Sequence, residues 1–269
     1  MELKVLVDNN TYIDEYYYGE PAVSYYIEDN GTKILLDVGY SDLFIKNAIN
    51  LGVNLNELDY IVISHGHNDH TGGLKHYFEN YKENNVSLIA HPEALNEKFL
   101  NNKKISSDFT IEELNNKCNL LLSKKPKKIS DNIIFLGEIP NSNDFENRKP
   151  IGIQLENDIS KDDYLLDDTA LVFKSNEGIY IITGCSHSGI CNIIEYAKKV
   201  CNDNRVLGII GGLHLFEINE QVTNTIEYLR KEEFLTELYP CHCTSFLVKS
   251  EINKTLQVKE VGVSLEINW

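Results

Sequence analysis

Short apolar runs rich in β-branched and aromatic residues alternate with helix-spaced stripes along the whole chain, and this alternation restricts the fold more than any other feature. The runs lie at 3–7, 23–27, 34–36, 60–63, 87–90, 133–136, 170–173, 179–182, 206–210, 238–239 and 261–267. In the last, Val261, Val263, Leu265 and Ile267 alternate with other residues, the period of a half-buried strand. Asp29-Asn30-Gly31 stands between two runs and predicts a tight hairpin turn. Phe44, Ile45, Ala48 and Ile49 make one helical stripe, and Leu74, Tyr77, Phe78 and Tyr81 a second. A third comprises Ile190, Ile193, Ile194, Ala197 and Val200, and a fourth Val222, Ile226 and Leu229. No Pro/Gly/Ser-rich linker interrupts the pattern, so the 269 residues read as one α/β domain. Residues 92–168 depart from it, with paired lysines, many Asn and Asp, and few apolar stripes. They read as an insertion of helices and loops that covers part of the domain.

Charge narrows the partners. Asp and Glu number 41 against 25 Lys and Arg, a net charge of −16, which repels phosphate backbones and anionic membrane surfaces. We therefore expect no nucleic acid and no membrane among its partners, and a small-molecule substrate instead. The 42% hydrophobic and 25% charged residues exclude a disordered or fibrous chain. Cys118, Cys185, Cys191, Cys201, Cys241 and Cys243 show no disulfide-framework spacing, so reduced thiols are expected. The first residues, Met1-Glu2-Leu3-Lys4-Val5-Leu6-Val7-Asp8, hold no signal-peptide core, and no apolar run approaches the ~18–20 residues of a membrane span. A cytoplasmic location is the expectation.

The chemistry concentrates in Ser64-His65-Gly66-His67-Asn68-Asp69-His70-Thr71-Gly72-Gly73, between the apolar run 60–63 and the stripe that begins at Leu74. His65 and His67 have strand-like spacing and can point the same way, while Asp69 and His70 fall at the start of the next helix. Imidazoles and a carboxylate at this density suit zinc, manganese or iron. A helix cap at Asp69 is the plain alternative, but a cap needs one such residue and not four. Further metal-competent side chains follow later runs: Cys185 and His187 in Thr183-Gly184-Cys185-Ser186-His187-Ser188-Gly189, His214 after Gly211-Gly212-Leu213, and His242 in Pro240-Cys241-His242-Cys243-Thr244.

His65-x-His67-x-Asp69-His70 resembles the signature of the metallo-β-lactamase fold superfamily, and Leu35-Leu36-Asp37-Val38-Gly39 resembles its early strand-end motif. The resemblance implies a four-layer αββα sandwich of two mixed sheets over nearly the whole chain, with one or two divalent metal ions, zinc foremost. It implies His65, His67 and His187 on one side of the site and Asp69, His70 and His242 on the other. The later motifs, with Val7-Asp8-Asn9-Asn10, resemble one branch, which holds metal-dependent hydrolases and an archaeal dihydropterin synthase. That synthase joins a pterin to a ribofuranosyl-aminobenzene phosphate.

Three departures from the wider family stand out. Asp167-Asp168-Thr169-Ala170-Leu171 replaces the usual Gly-His-Thr-Pro-Gly stretch, Cys185 replaces the bridging Asp, and Ser245 stands where the branch tends to have Gly. His187 then supplies the lost imidazole. Cys185 is a candidate thiolate ligand. Asp37 is a candidate for orienting a ligand imidazole. Asp69 is assigned as ligand or proton acceptor, the catalytic residue of the set. His214 ends a run beside two glycines and is a candidate substrate contact or a buried hydrogen-bonding group. In an extended segment Cys241 and Cys243 would point opposite to His242, leaving the imidazole to face the metal. Tyr12, Tyr16, Tyr17 and Tyr18 are expected to pack in a core or interface.

The functional expectation is a metal-dependent hydrolase, or a synthase-like transferase, acting on a small, phosphorylated or pterin-like molecule. A metal-binding or ligand-sensing module without turnover is the alternative, raised by Cys185. A nuclease of the same fold is weakened by the charge, and a di-iron oxygen-reducing enzyme by His67, where such proteins usually carry a carboxylate.

Overall fold

Two hydrophobic centres organise the chain, each built on one mixed sheet. The computed structural model describes residues 1–82, 85–156 and 159–269. The first unit comprises Met1–Lys124, Pro150–Asp167 and Gly262–Trp269, the second Lys125–Lys149 and Asp168–Val261.

In the first unit a seven-stranded sheet runs in the order Glu266–Asn268, Glu2–Val7, Ser24–Asp29, Thr32–Leu36, Tyr60–Val62, Ser87–Ala90, Asn119–Leu122. Pairing is antiparallel from its first edge to Thr32–Leu36 and parallel beyond it. The hairpin turn is Asn30-Gly31, with φ 49° and 82°, the left-handed pair that matches the twist of two antiparallel strands. The helices Leu43–Asn50 and Leu74–Asn80 bury Phe44, Ala48, Leu74 and Tyr77 against Leu35, Ile61 and Leu88 of this sheet. Three parallel strands thus bring their carboxyl ends to one edge, where Asp37, Ser64-His65 and His91 follow. Loops from a rigid parallel sheet converge at such an edge, and sites collect there.

The second unit repeats the principle with a six-stranded sheet, ordered Glu237–Cys241, Val206–Gly212, Ile179–Thr183, Ala170–Lys174, Ile133–Phe135, Lys127–Lys128. The first three strands are parallel. Their carboxyl ends lead to Cys185 and His187, His214, and His242. Helices Ile190–Cys201 and Glu220–Leu229 pack Ile190, Ile193, Ile194, Ala197, Val222 and Leu229 into its core.

The stretch 92–168, expected to hold helices and loops, also contains short strands. Among the described residues its regular elements are seven short strands, the 3₁₀ turn Pro92–Leu95 and one short α-helix, Ile111–Asn115, joined by loops. Asn119–Leu122 and Ile133–Phe135 join the two main sheets, and a four-stranded antiparallel sheet runs Ile159–Asp162, Ile153–Glu156, Glu97–Leu100, Lys103–Lys104. The alternation at 261–267 also misleads. Ser264 turns left-handed (φ 82°), Val263 bridges to Thr11, and only Glu266–Asn268 forms a strand. Tyr16 and Tyr18 are 93% and 52% exposed and not packed in a core. The sequence pattern also did not show the helix Phe246–Ile252, which Ser245 caps by accepting from the Val248 N–H at 3.2 Å.

One polar cluster inside the first unit bears on stability. Lys98, on the small sheet, is fully buried and donates to Asp163 and Asp167, both at 2.9 Å. Burial works against its ammonium, but the Asp167 and Asp163 carboxylates outweigh that effect and raise its pKa. Removing the cation leaves two buried carboxylates facing each other. Lys98→Ala should therefore cost about 3–5 kcal/mol of unfolding free energy in urea melts at neutral pH. A loss below about 1 kcal/mol, the size of an exposed pair, would show that the cluster is solvated.

Candidate metal centre

In the first unit the motif turn follows the strand Tyr60–Val62 and leads into a one-turn helix, Asn68–Thr71. His67 occupies its N-cap without a side-chain cap bond, so Asp69 is not acting as the cap. The chain can turn this tightly because Gly66 has no side chain. A Cβ there would run into the Ala94 carbonyl. His67 bridges to Ser106, and Asn68 N–H donates to Ile105 O at 2.8 Å, so the segment after Lys103–Lys104 braces the turn. His65, His67 and His70 are all buried; the His65 ring lies 4.7 Å from that of His67 and 4.1 Å from that of His70, centroid to centroid. One donor atom from each of His65, His67 and Asp69 lies within 4.8 Å of the others. Asp69 keeps 19% of its side chain exposed and places Oδ2 3.4 Å from His70 Nε2.

Behind these residues sits Asp37, fully buried and left-handed (φ 58°) at the end of its strand. Its Oδ1 accepts from the Ser64 N–H at 2.8 Å, and its Oδ2 from Ser64 Oγ–H and the His70 Nδ1, each at 2.6 Å. These contacts order the protons. Ser64 gives its hydroxyl proton to Asp37, so its oxygen is left to accept from His65 Nδ1 at 3.2 Å. His65 then keeps its lone pair on Nε2, and His70, with Nδ1 on Asp37, has Nε2 left to face Asp69. Burial lowers the His67 pKa to about 4, which keeps that ring neutral as well. His70 goes the other way. Burial opposes its charge, but Asp69 and Asp37 outweigh burial and raise its pKa well above the ordinary value. At His70 the two carboxylates thus favour a positive charge. Imidazoles and a carboxylate gathered this closely are what a divalent transition metal binds.

The second unit assembles its own donors. Cys185 offers Sγ within 4.8 Å of a ring nitrogen of His187 and also of one of His242. The His214 ring lies 4.2 Å from that of His187, tilted by 50°, and meets Phe216 edge-on at 4.8 Å. His242 is not extended, as the pleat expectation requires, but left-handed at φ 48°. Cys241 is buried, and the Cys243 thiol donates to Cys185 O at 3.5 Å. It also packs where a Cβ at Gly212 would sit. His91, at the third strand end of the first unit, accepts from Glu93 N–H at 3.1 Å and caps a short 3₁₀ turn. His76 lies beside Glu79 at 4.0 Å with 29% of its side chain exposed.

Asp167 and Asp168 were not among the sequence candidates. Both are fully buried. Asp167 Oδ2 accepts from the Gly66 N–H at 2.7 Å, and Asp168 Oδ2 from the Ser188 N–H at 2.8 Å. Two adjacent acids opening the apolar strand Ala170–Lys174 were the available signal.

The chain is similar to known proteins. The metallo-beta-lactamase superfamily model matches residues 17–198. The uncharacterized protein MJ0448 of Methanocaldococcus jannaschii is 35% identical over 254 residues, 94% of each chain. The 7,8-dihydropterin-6-methyl-4-(beta-D-ribofuranosyl)-aminobenzene-5'-phosphate synthase of the same organism is 34% identical over 239 residues, 82% of this chain and 79% of its own. Tm1679, a metal-dependent hydrolase of the beta-lactamase superfamily, superposes with a TM-score of 0.84 at 26% identity, covering 100% of this chain and 99% of that one. On the family match, the relatives and the mixed α/β fold together, the chain belongs to the metallo-β-lactamase superfamily.

Proposed function

We propose that the protein is a metal-dependent enzyme acting on a small phosphorylated or pterin-like molecule, by hydrolysis or by transfer to an aryl group. The observation that carries this is the trio His65, His67 and Asp69, with donor atoms within 4.8 Å of one another. His70 joins the set beside Asp69. His187 and His242 are assigned as further ligands on their strand-end motifs, with Cys185 as a thiolate ligand between them. Zinc fits the donors best, with manganese or iron as the other choices, in one or two ions. When bound, the metal supplies Lewis-acid stabilisation of negative charge on the reacting oxygen.

The residues divide the remaining work. Asp37 holds the His70 Nδ1 proton and so aims Nε2 forward. Ser64 does the same for His65. Asp69, the partly exposed member, takes a proton from the attacking group or ligates. His214, beside His187, is assigned to contact substrate. Kinship to the synthase supports a pterin-like substrate, and kinship to the hydrolase supports attack by water. The cysteines form no disulfide among the described residues, which supports a reducing, cytoplasmic setting. No helix of the described residues is long and apolar enough to cross a membrane. A closed, non-catalytic metal site is the second reading. Cys185 favours it, since a thiolate with imidazoles can fill a tetrahedron.

Two experiments test the proposal. Protein purified without chelator should contain zinc, manganese or iron by elemental analysis, and His65→Ala with His67→Ala should lose it. Wild-type protein that neither carries nor takes up metal would end the reading. Asp69→Asn should lower turnover by on the order of 10²-fold or more while the fold survives. The substrate panel holds phosphodiesters, lactones, thioesters and pterin phosphates, the last with and without an aryl acceptor. No turnover of any of these, with four protein ligands and no open position by spectroscopy, would select the closed site.

A further inference from the structure

The adjacent aspartates Asp167 and Asp168 have no role so far, and each is bonded to the backbone of one histidine-bearing turn. Asp167 accepts from the N–H of Gly66, the residue between His65 and His67, while its other oxygen accepts from Lys98 at 2.9 Å. Asp168 Oδ2 accepts from both the N–H and the hydroxyl of Ser188, the residue after His187. Among the described residues, neither aspartate belongs to a group of three or more metal-competent atoms. They do not ligate.

The turn around His187 shows why a pin is needed. Ser186, the residue before the histidine, is left-handed at φ 56°, and the chain turns again at Gly189, φ 89°, which only glycine adopts freely. Ser186 Oγ–H is held by Gly212 O at 2.7 Å, and Ser188 by Asp168. His187 thus sits between two anchored serines. The anchor is costly. Asp168 is fully buried, and its Oδ1 has no hydrogen-bond partner among the described residues. The first unit uses the same device, where Gly66 is pressed against Ala94 and Asp167 fixes the peptide that separates two imidazoles.

We propose that Asp167 and Asp168 are positioning residues, each holding one histidine turn in the geometry that binds the metal. The proposal rests on the metal-centre reading above. It assigns a use to the stretch that replaces the family's Gly-His-Thr-Pro-Gly segment. Groups that orient ligands in this way are worth about 10–100-fold in metal affinity.

The test is the zinc dissociation constant, read by competition with a chromophoric chelator, together with the absorption spectrum of the cobalt-loaded protein. Asp168→Ala and Asp167→Ala should each weaken zinc binding by about 10–100-fold and change the cobalt spectrum. Asp168→Asn keeps an acceptor oxygen for Ser188 and should recover most of the affinity. A merely structural role would lower the melting temperature of the metal-free protein and leave the zinc constant unmoved. Folded alanine variants with wild-type zinc affinity and cobalt spectrum would overturn the proposal. Equal losses in the Asp168 alanine and asparagine variants would also overturn it, since the effect would then belong to charge and not to the bond. If the alanine variants do not fold, Ser188→Ala removes one of the two bonds and keeps the carboxylate. It should still weaken zinc binding and shift the cobalt spectrum, and no change in either overturns the Asp168 assignment. Wild-type protein that binds no zinc or cobalt would remove the metal-centre reading and this proposal together, whereas failure of the variants alone leaves that reading standing.

Discussion

A buried carboxylate, Asp37, is the constraint on which the candidate site depends. It gathers the Ser64 N–H, the Ser64 hydroxyl and the His70 Nδ1 within 2.6–2.8 Å. A charge so deep in apolar surroundings is tolerated only when its oxygens are occupied by donors. Each donor belongs to the motif turn, so satisfying Asp37 and shaping the turn are one event. The left-handed backbone at Asp37 costs on the order of 1–3 kcal/mol, and these bonds are what offsets it. The consequence reaches the chemistry, because the proton order that satisfies Asp37 is also the one that presents Nε2 on His65 and His70.

The same economy appears at other strand ends. Ser186, His214 and His242 are all left-handed, at φ 56°, 50° and 48°. Strand ends that turn this sharply aim side chains off the sheet edge and not along its pleat. Each is held by packing or hydrogen bonds, as when Leu213 N–H donates to Thr244 Oγ1 at 2.9 Å and Leu215 bridges to Thr244 beside His242. Strain at such positions is retained where the surrounding sheet over-determines it.

Much of this was legible in the residues. The hairpin at Asn30-Gly31, the four helices with regular apolar stripes and the strands ahead of the histidine motifs follow from local pattern. The strands within 92–168 did not, because Lys103–Lys104 and Lys127–Lys128 are two exposed residues each and the small sheet is held by pairing rather than by an apolar period. The left-handed turn at His242 was hidden because the pleat rule holds only while the backbone stays extended. Ser245 became intelligible once a helix was seen to start beside it. Asp167 and Asp168 carry long-range bonds, to Gly66 and Ser188, that no local pattern encodes.

The most direct test of the central claim is a crystal structure of the metal-loaded protein with anomalous scattering collected at the metal edge. The account predicts an anomalous peak at roughly 2.0–2.1 Å from Nε2 of His65, with Asp69 in the coordination sphere. It also predicts that every His70 contact to metal is made through Nε2, with Nδ1 still on Asp37. A metal held through Nδ1 of His70, or a peak away from residues 65–70, would contradict it.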